Sequence, residues 1–113
     1  MTQFDLYMAD LPHQEDSHIL RGHHPVVIVS NNLANAYSPV ITVVPVTSKI
    51  KRLDMPTHIL LYGSGLWKES MAVCEQVMSL DSSRCIYPIG HVHNSDTQAA
   101  LMRGIHAQLG LRS

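Results

Sequence analysis

The chain has 113 residues, of which 45 % are hydrophobic and only 15 % charged, with a formal net charge of −1 when its histidines are neutral. That length reads as one domain over residues 1–113, large enough to bury roughly two-thirds of the surface its unfolded chain exposes. The composition excludes a disordered chain, and the small net charge excludes a global field that would draw the protein to nucleic acid or to an anionic membrane. The thin charged layer fits a surface partly covered by another subunit. No apolar run approaches the roughly 20 residues that cross a bilayer. The opening MTQFDLYMADLP is acidic where a secretory signal is basic, so a cytoplasmic location is expected.

In chain order, a first short strand is predicted over residues 4–9. A polar loop over 10–24 follows, too long for a simple hairpin and of a length often used for function. Pro25 restricts His24 to extended geometry, so a second strand begins there and covers 26–30. An Asn-rich polar segment serves as a turn, and a third strand runs over 40–47, ending on the adjacent hydroxyls of Thr47 and Ser48. Further strands are read over 57–61, 70–74, 76–79 and 86–92, with a glycine turn at 63–65 and one helical turn at 81–84. From 95 to 109 the period changes. Leu101, Met102, Ile105 and Leu109 follow helical spacing, Asn94 or Ser95 caps the start and Gly110 closes the end. Many short strands followed by one helix predict a mainly β fold: an antiparallel, partly barrel-like sheet with a C-terminal α-helix against it.

Reactive side chains gather at the ends of strands two and three. Lys49, Lys51 and Arg52 directly follow Thr47 and Ser48, and read either as a solvated turn or as a local phosphate contact. His23 and His24 are adjacent in an extended chain and point to opposite faces, so only one of them enters a given site. There is no GxSxG and no glycine-rich phosphate loop. An imidazole, the Arg21 guanidinium and the hydroxyl pair suit metal-free phosphodiester cleavage: a base takes a proton from the nucleophile, a cation and a hydroxyl stabilise the phosphorane, and an acid protonates the leaving oxygen. A non-catalytic barrel is the competing reading. His91 and His93 are spaced to share one face, but no third ligand is signalled and Cys74 and Cys85 lack CxxC spacing, so neither a metal nor a cofactor is expected. His58 and His106 read as structural, His13 and His18 as loop residues able to close over a ligand. Cys74, beside Met71 and Val73, reads as a buried small hydrophobe.

The segments DLYMADLP, Ser17-His18-Ile19, RGHHPVVIVSNNLANAYSPVITVVPVTSKIK, MPTHILL, KESMAVCEQVMSLDSSR and IGHV together resemble the MazF/PemK (Kid-type) toxins of bacterial toxin–antitoxin systems. The resemblance covers nearly the whole chain, in family order and spacing. It implies an SH3-like barrel (CcdB/MazF-like) that forms a homodimer, and a sequence-specific endoribonuclease acting on single-stranded RNA. The implied reaction is metal-independent attack by the ribose 2′-OH, leaving a 2′,3′-cyclic phosphate. A cognate antitoxin would block the RNA groove. The family's active-site Thr matches Thr47, with Ser48 adding a second hydroxyl, and Glu75-Gln76 matches an EQ pair near the RNA groove. His18, Lys49 and Lys51 are the accompanying RNA contacts.

Two positions depart from the family pattern. Phe4 stands where the first strand usually starts with Gly, and His24 stands where the catalytic Arg precedes the strand-two Pro. Three readings of His24 follow. It replaces Arg as the acid/base group, or Arg21 supplies the missing charge from a folded-in loop, or the chain is a catalytically silent paralogue that binds an antitoxin or, as CcdB toxins do, a protein target.

Overall fold

The computed structural model describes residues 1–111. It contains strands β1 (Asp5–Leu11), β2 (Gly22–Ile28), β3 (Val40–Thr47), β4 (His58–Leu61), β5 (Ser70–Val73), β6 (Met78–Asp81) and β7 (Cys85–His91). A short helix α1 (Asn32–Tyr37) joins β2 to β3, and helix α2 (Ser95–Leu109) follows β7. The strands form one antiparallel sheet in the order β4-β5-β3-β2-β1-β7, with β6 also paired to β3. The expected mainly β architecture with a C-terminal helix is present, and the sheet is open: β4, β6 and β7 each pair on one side only among the described residues. The loop after β4 packs backbone to backbone on β7. A Cβ on Gly65 would collide with the Ile89 carbonyl, and one on Gly90 with the Ser64 carbonyl, so only glycine allows this approach.

Strand β3 organises the sheet because it changes partners along its length. Residues Val40 to Val43 pair with β6, whereas Val46 and Thr47 pair with β5. Pro45 falls in the gap between those partners, where a missing amide costs no ladder bond on that side. The runs in β2 and β3 are almost continuously apolar because both sheet faces are covered. Val27, Val29, Val44 and Val46 join Leu101 and Ile105 of α2 in one core, and Val26, Ile28, Ile41 and Val43 join Ala9, Leu11 and Leu80 in another. Period-2 alternation thus sends neighbouring valines into different cores.

Several boundaries correct the sequence reading. β1 and β2 do form a hairpin, paired as far as Leu11 with Gly22, so the loop shrinks to residues 12–21. Strand β2 therefore starts before Pro25, and His24 lies within it opposite Ala9. The backbone ladder carries the strand through polar residues that lack apolar alternation. The Asn-rich turn folds as α1, capped by the Asn31 side chain accepting from the Ala34 N–H at 2.9 Å. That helix buries no residue, so it left no periodic signal. The strand expected at 76–79 begins only at Met78, because Cys74–Gln76 forms a 3₁₀ turn. The expected helical turn is present as Ser82–Arg84, and α2 has the predicted bounds, capped by Asn94 and by a left-handed Gly110.

Phe4, at the glycine-favoured position, has φ +73°. A non-glycine residue is strained there by about 1–2 kcal/mol. Its N–H donates to the Ile28 carbonyl at 2.6 Å and its carbonyl accepts from the Val92 N–H at 3.0 Å, while its side chain packs against the larger core. Those anchors hold the left-handed turn in place.

Candidate functional site

Thr47 ends β3 opposite Met71 and opens into a cavity of about 310 Å³. Leu20, Met71 and Val73 give the cavity an apolar floor, and His18, Lys49, Lys51, His58, Glu75 and Gln76 supply its polar wall. Six of the sequence-predicted site residues therefore converge here: Thr47, His18, Lys49, Lys51, Glu75 and Gln76. The Thr47 Oγ1 accepts from the Lys49 N–H at 3.2 Å, a local turn that starts the basic segment. An apolar floor with cationic edges suits an unstacked base attached to a phosphate.

The wall is held by a buried ionic contact. His58 Nε2 lies 2.8 Å from Glu75 Oε2, and its Nδ1 lies 2.9 Å from the Lys51 carbonyl and 3.0 Å from the Arg52 carbonyl. All three partners can accept hydrogen bonds, an arrangement that favours a ring protonated at both nitrogens. Burial disfavours the charge on both side chains. The hydrogen bonds outweigh it, holding His58 above the ordinary histidine range and Glu75 below the ordinary carboxylate range. The other carboxylate oxygen, Glu75 Oε1, is buried without a hydrogen-bond partner, as is the Thr57 hydroxyl. Thr57 still helps to lower the Glu75 carboxyl. Gln76 grips the loop instead: its Oε1 accepts from the Leu20 N–H at 2.8 Å and its amide donates to the His18 carbonyl at 3.3 Å. It straps the 12–21 loop across the cavity rim, where a second cavity of about 300 Å³ begins on the far side of Glu75 and Gln76.

His24 and Ser48 open elsewhere. They line a smaller cavity of about 200 Å³ together with Met8, Lys68 and Trp67, and His23 lines it too, so both adjacent histidines reach one cavity where strand alternation predicts only one. Thr47 and Ser48 are adjacent in sequence, yet each opens into its own cavity. No described cavity is lined by both His24 and Thr47. The His24 ring is half-buried and makes no side-chain hydrogen bond among the described residues. Arg21 is exposed and its guanidinium donates to the carbonyl of Gln14, a residue of the second cavity, at 2.8 Å; Arg21 itself lines neither the Thr47 nor the His24 cavity.

A family model described as "PemK-like, MazF-like toxin of type II toxin-antitoxin system" matches residues 2–109. The chain belongs to this family. Endoribonuclease MazF of Staphylococcus saprophyticus is 37 % identical over 86 residues, covering 74 % of this chain and 71 % of that protein. Among solved structures, MazF (Form-I) of Deinococcus radiodurans matches with a TM-score of 0.83 at 21 % identity, over 98 % of this chain and 97 % of that one. An endoribonuclease in complex with its cognate antitoxin from a mycobacterial species matches with a TM-score of 0.82 at 21 % identity, over 100 % and 98 %. The two structural matches establish the MazF fold for the whole path of strands and helices.

Within this MazF-like fold the remaining histidines and cysteines have local explanations. His91 Nδ1 lies 2.7 Å from Asp5 Oδ1, and its ring is 4.7 Å from that of His93. No group of three or more metal-ligating side chains occurs among the described residues. Cys74 is buried, and desolvation, with the Glu75 charge adding, pushes its thiol up to about 12. Cys85 is also a free thiol. Among the described residues no helix is long and apolar enough to cross a membrane. The sequence reading missed Lys68 and Trp67 beside His24; His58, read as structural, is a buried ring hydrogen-bonded into the cavity wall. His58 follows a basic turn by six residues, a signal that only the folded turn makes meaningful.

Proposed function

We propose that this chain is the toxin of a type II toxin–antitoxin system, a single toxin domain over residues 1–113 that cleaves single-stranded RNA without a metal. The ribose 2′-oxygen attacks the adjacent phosphorus and the 5′-oxygen leaves, giving a 2′,3′-cyclic phosphate and a 5′-OH. Thr47 and Ser48 donate hydroxyls to the phosphorane oxygens, and Lys49 and Lys51 balance their charge. His24 is the proton-transfer group, with Arg21 as an additional cation when the loop moves. His18, Glu75 and Gln76 form the walls that hold a base, and base identity is read on the edge of that unstacked base. The observation that carries this reading is the convergence of Thr47, Lys49, Lys51, His18, Glu75 and Gln76 on one cavity, in a chain of this family. It is supported by the 37 % identity to a relative named an endoribonuclease. A local cluster of cations suffices for a short substrate, consistent with a net charge of only −1.

The protein works as a cytoplasmic homodimer, and a cognate antitoxin covers the same cavities. Incubation of the purified dimer with mixed-sequence single-stranded RNA in EDTA tests the reading: cleavage with cyclic phosphate ends supports it, and intact RNA at high enzyme excess rejects it. A binding-only toxin is favoured by one observation, the opening of His24 and Thr47 into separate cavities. In that case antitoxin binding persists without cleavage, and His24→Arg restores activity.

A further inference from the structure

Beyond the groups that meet RNA, the cavity depends on a buried ring that the reaction does not use. We propose that His58 is a positioning residue: as an imidazolium it pins the basic segment 48–52 to the Glu75–Gln76 turn, and RNA recognition requires that pin. The inference rests on the reading of this cavity as the RNA site.

The backbone around the ring is shaped for a cation. Successive carbonyls in extended chain point to opposite sides, yet those of Lys51 and Arg52 both converge on His58 Nδ1. Arg52 makes this possible by adopting φ +52°, a left-handed conformation that a non-glycine side chain resists. The turn is wound further around the ring, because the Met55 N–H donates to the Arg52 carbonyl and the His58 N–H to the Met55 carbonyl. Strain retained beside a cavity points to function when the surroundings over-determine it.

The same ring reaches the opposite wall through Glu75, and the next residue, Gln76, grips the 18–20 loop. On the other side the pinned segment supplies Lys49 and Lys51, and the Lys49 N–H engages Thr47. One imidazolium therefore joins three segments of the cavity wall. Its loss would remove the hydrogen bond that Glu75 Oε2 accepts at 2.8 Å, in a carboxylate whose Oε1 makes none of that geometry.

Charged groups of both signs surround His58. The 48–55 segment brings the cations Lys49, Lys51 and Arg52, which oppose a protonated ring, and Asp54, which favours it. The 3₁₀ turn contributes Glu75 and the uncharged Cys74 thiol, and the loop contributes His18. Strand β5 has no ionisable residue, and the buried residues of α2 are Leu101, Gly104 and Ile105. Burial lowers His58, but the hydrogen bonds it donates to Glu75 and the two carbonyls raise it overall. The pin is therefore fullest between the lowered Glu75 value and the raised His58 value: it is lost as pH rises through the His58 value and weakens as pH falls through the Glu75 value.

Three measurements test this: the His58 ring titration by ¹⁵N NMR, RNA affinity by fluorescence anisotropy, and the pH profiles of kcat and KM on a fluorogenic single-stranded RNA. The ring is expected to carry both protons at neutral pH, and KM to rise about tenfold or more as it deprotonates, with a smaller change in kcat. Glu75→Gln keeps an acceptor but removes the charge, and should move the NMR titration and the KM limb to lower pH together. His58→Gln should abolish the limb, with thermal melting used to show that it folds. A neutral ring at neutral pH overturns the proposal, as does a Glu75→Gln protein whose ring titration moves while the KM limb stays. Absence of cleavage at every pH rejects the nuclease reading instead. RNA affinity that still follows the ring titration then upholds the pin, and affinity that ignores it overturns the pin.

Discussion

The two cavities at the end of β3 are built on opposite plans. The Thr47 cavity is held by a buried ion pair, two converging carbonyls and the Gln76 strap, so its wall is organised before any ligand arrives. The His24 cavity has no such scaffold: its ring makes no side-chain hydrogen bond among the described residues, and Trp67 at its rim is 98 % exposed. A group that holds a fixed charge benefits from a rigid wall, because preorganised dipoles need not rearrange as charge develops. A group that moves a proton needs access to the substrate atom, and the looser cavity gives it that. Under the proposed reaction, that difference gives stabilisation to the Thr47 side and proton transfer to the His24 side.

The largest effect expected on this comparison comes from His24. Replacing it with alanine should lower kcat by about 10²–10⁴-fold if it transfers the proton, read in single-turnover cleavage of RNA. A change below tenfold would move the proton transfer to another residue. Thr47→Val keeps the shape but removes the hydroxyl, and should lower kcat by about 10²–10³-fold with little change in KM. Equal loss in both variants, with no further loss in the double variant, would show that the two cavities act as one unit.

The rigid side also makes predictions for stability. Gly104 in α2 lies against Cys74, and a Cβ there would come within 2.7 Å of the Cys74 Sγ and 3.3 Å of the Pro56 carbonyl. Gly104→Val should destabilise by about 1–3 kcal/mol in urea unfolding, through overpacking behind the Glu75 turn. A smaller effect follows from the His58–Glu75 pair. His58 has a raised value, so its contribution is full below the ordinary histidine range and is lost as pH rises through the raised value. Glu75 has a lowered value, so its contribution is present above the ordinary carboxylate range and is lost as pH falls through the lowered one. The Tm difference between the wild type and His58→Gln should therefore shrink at both ends of the pH range. The smallest effect belongs to the Arg52–Asp54 pair, which is solvent-exposed at 3.0 Å. Asp54→Asn should leave Tm unchanged, since exposed pairs of this kind contribute little.

Much of the fold was legible before the structure. Val40–Thr47 and Ser95–Leu109 have the predicted bounds because their patterns are strong: a β-branched run ended by hydroxyls, and a capped helical period. Helix α1 was not legible, since it exposes Leu33 and Tyr37 and is held by an Asn cap. Strand β2 was read too short, because His23 and His24 join the ladder through backbone alone. In the site, the grouping of Thr47 with Lys49 and Lys51 followed from sequence neighbourhood. The role of His58 did not, because a histidine inside a strand says nothing about which carbonyls a left-handed Arg52 will turn toward it.

By itself the sequence determined the class of fold, the strand that ends in hydroxyls and the membership of the toxin family, all of which depend on local patterns and on their order along the chain. Tertiary structure decided which side chains share a cavity. Thr47 and Ser48 are neighbours in the chain, yet each opens into a different cavity. His58 and Glu75 are 17 residues apart and meet at 2.8 Å in a site that burial makes electrostatically strong.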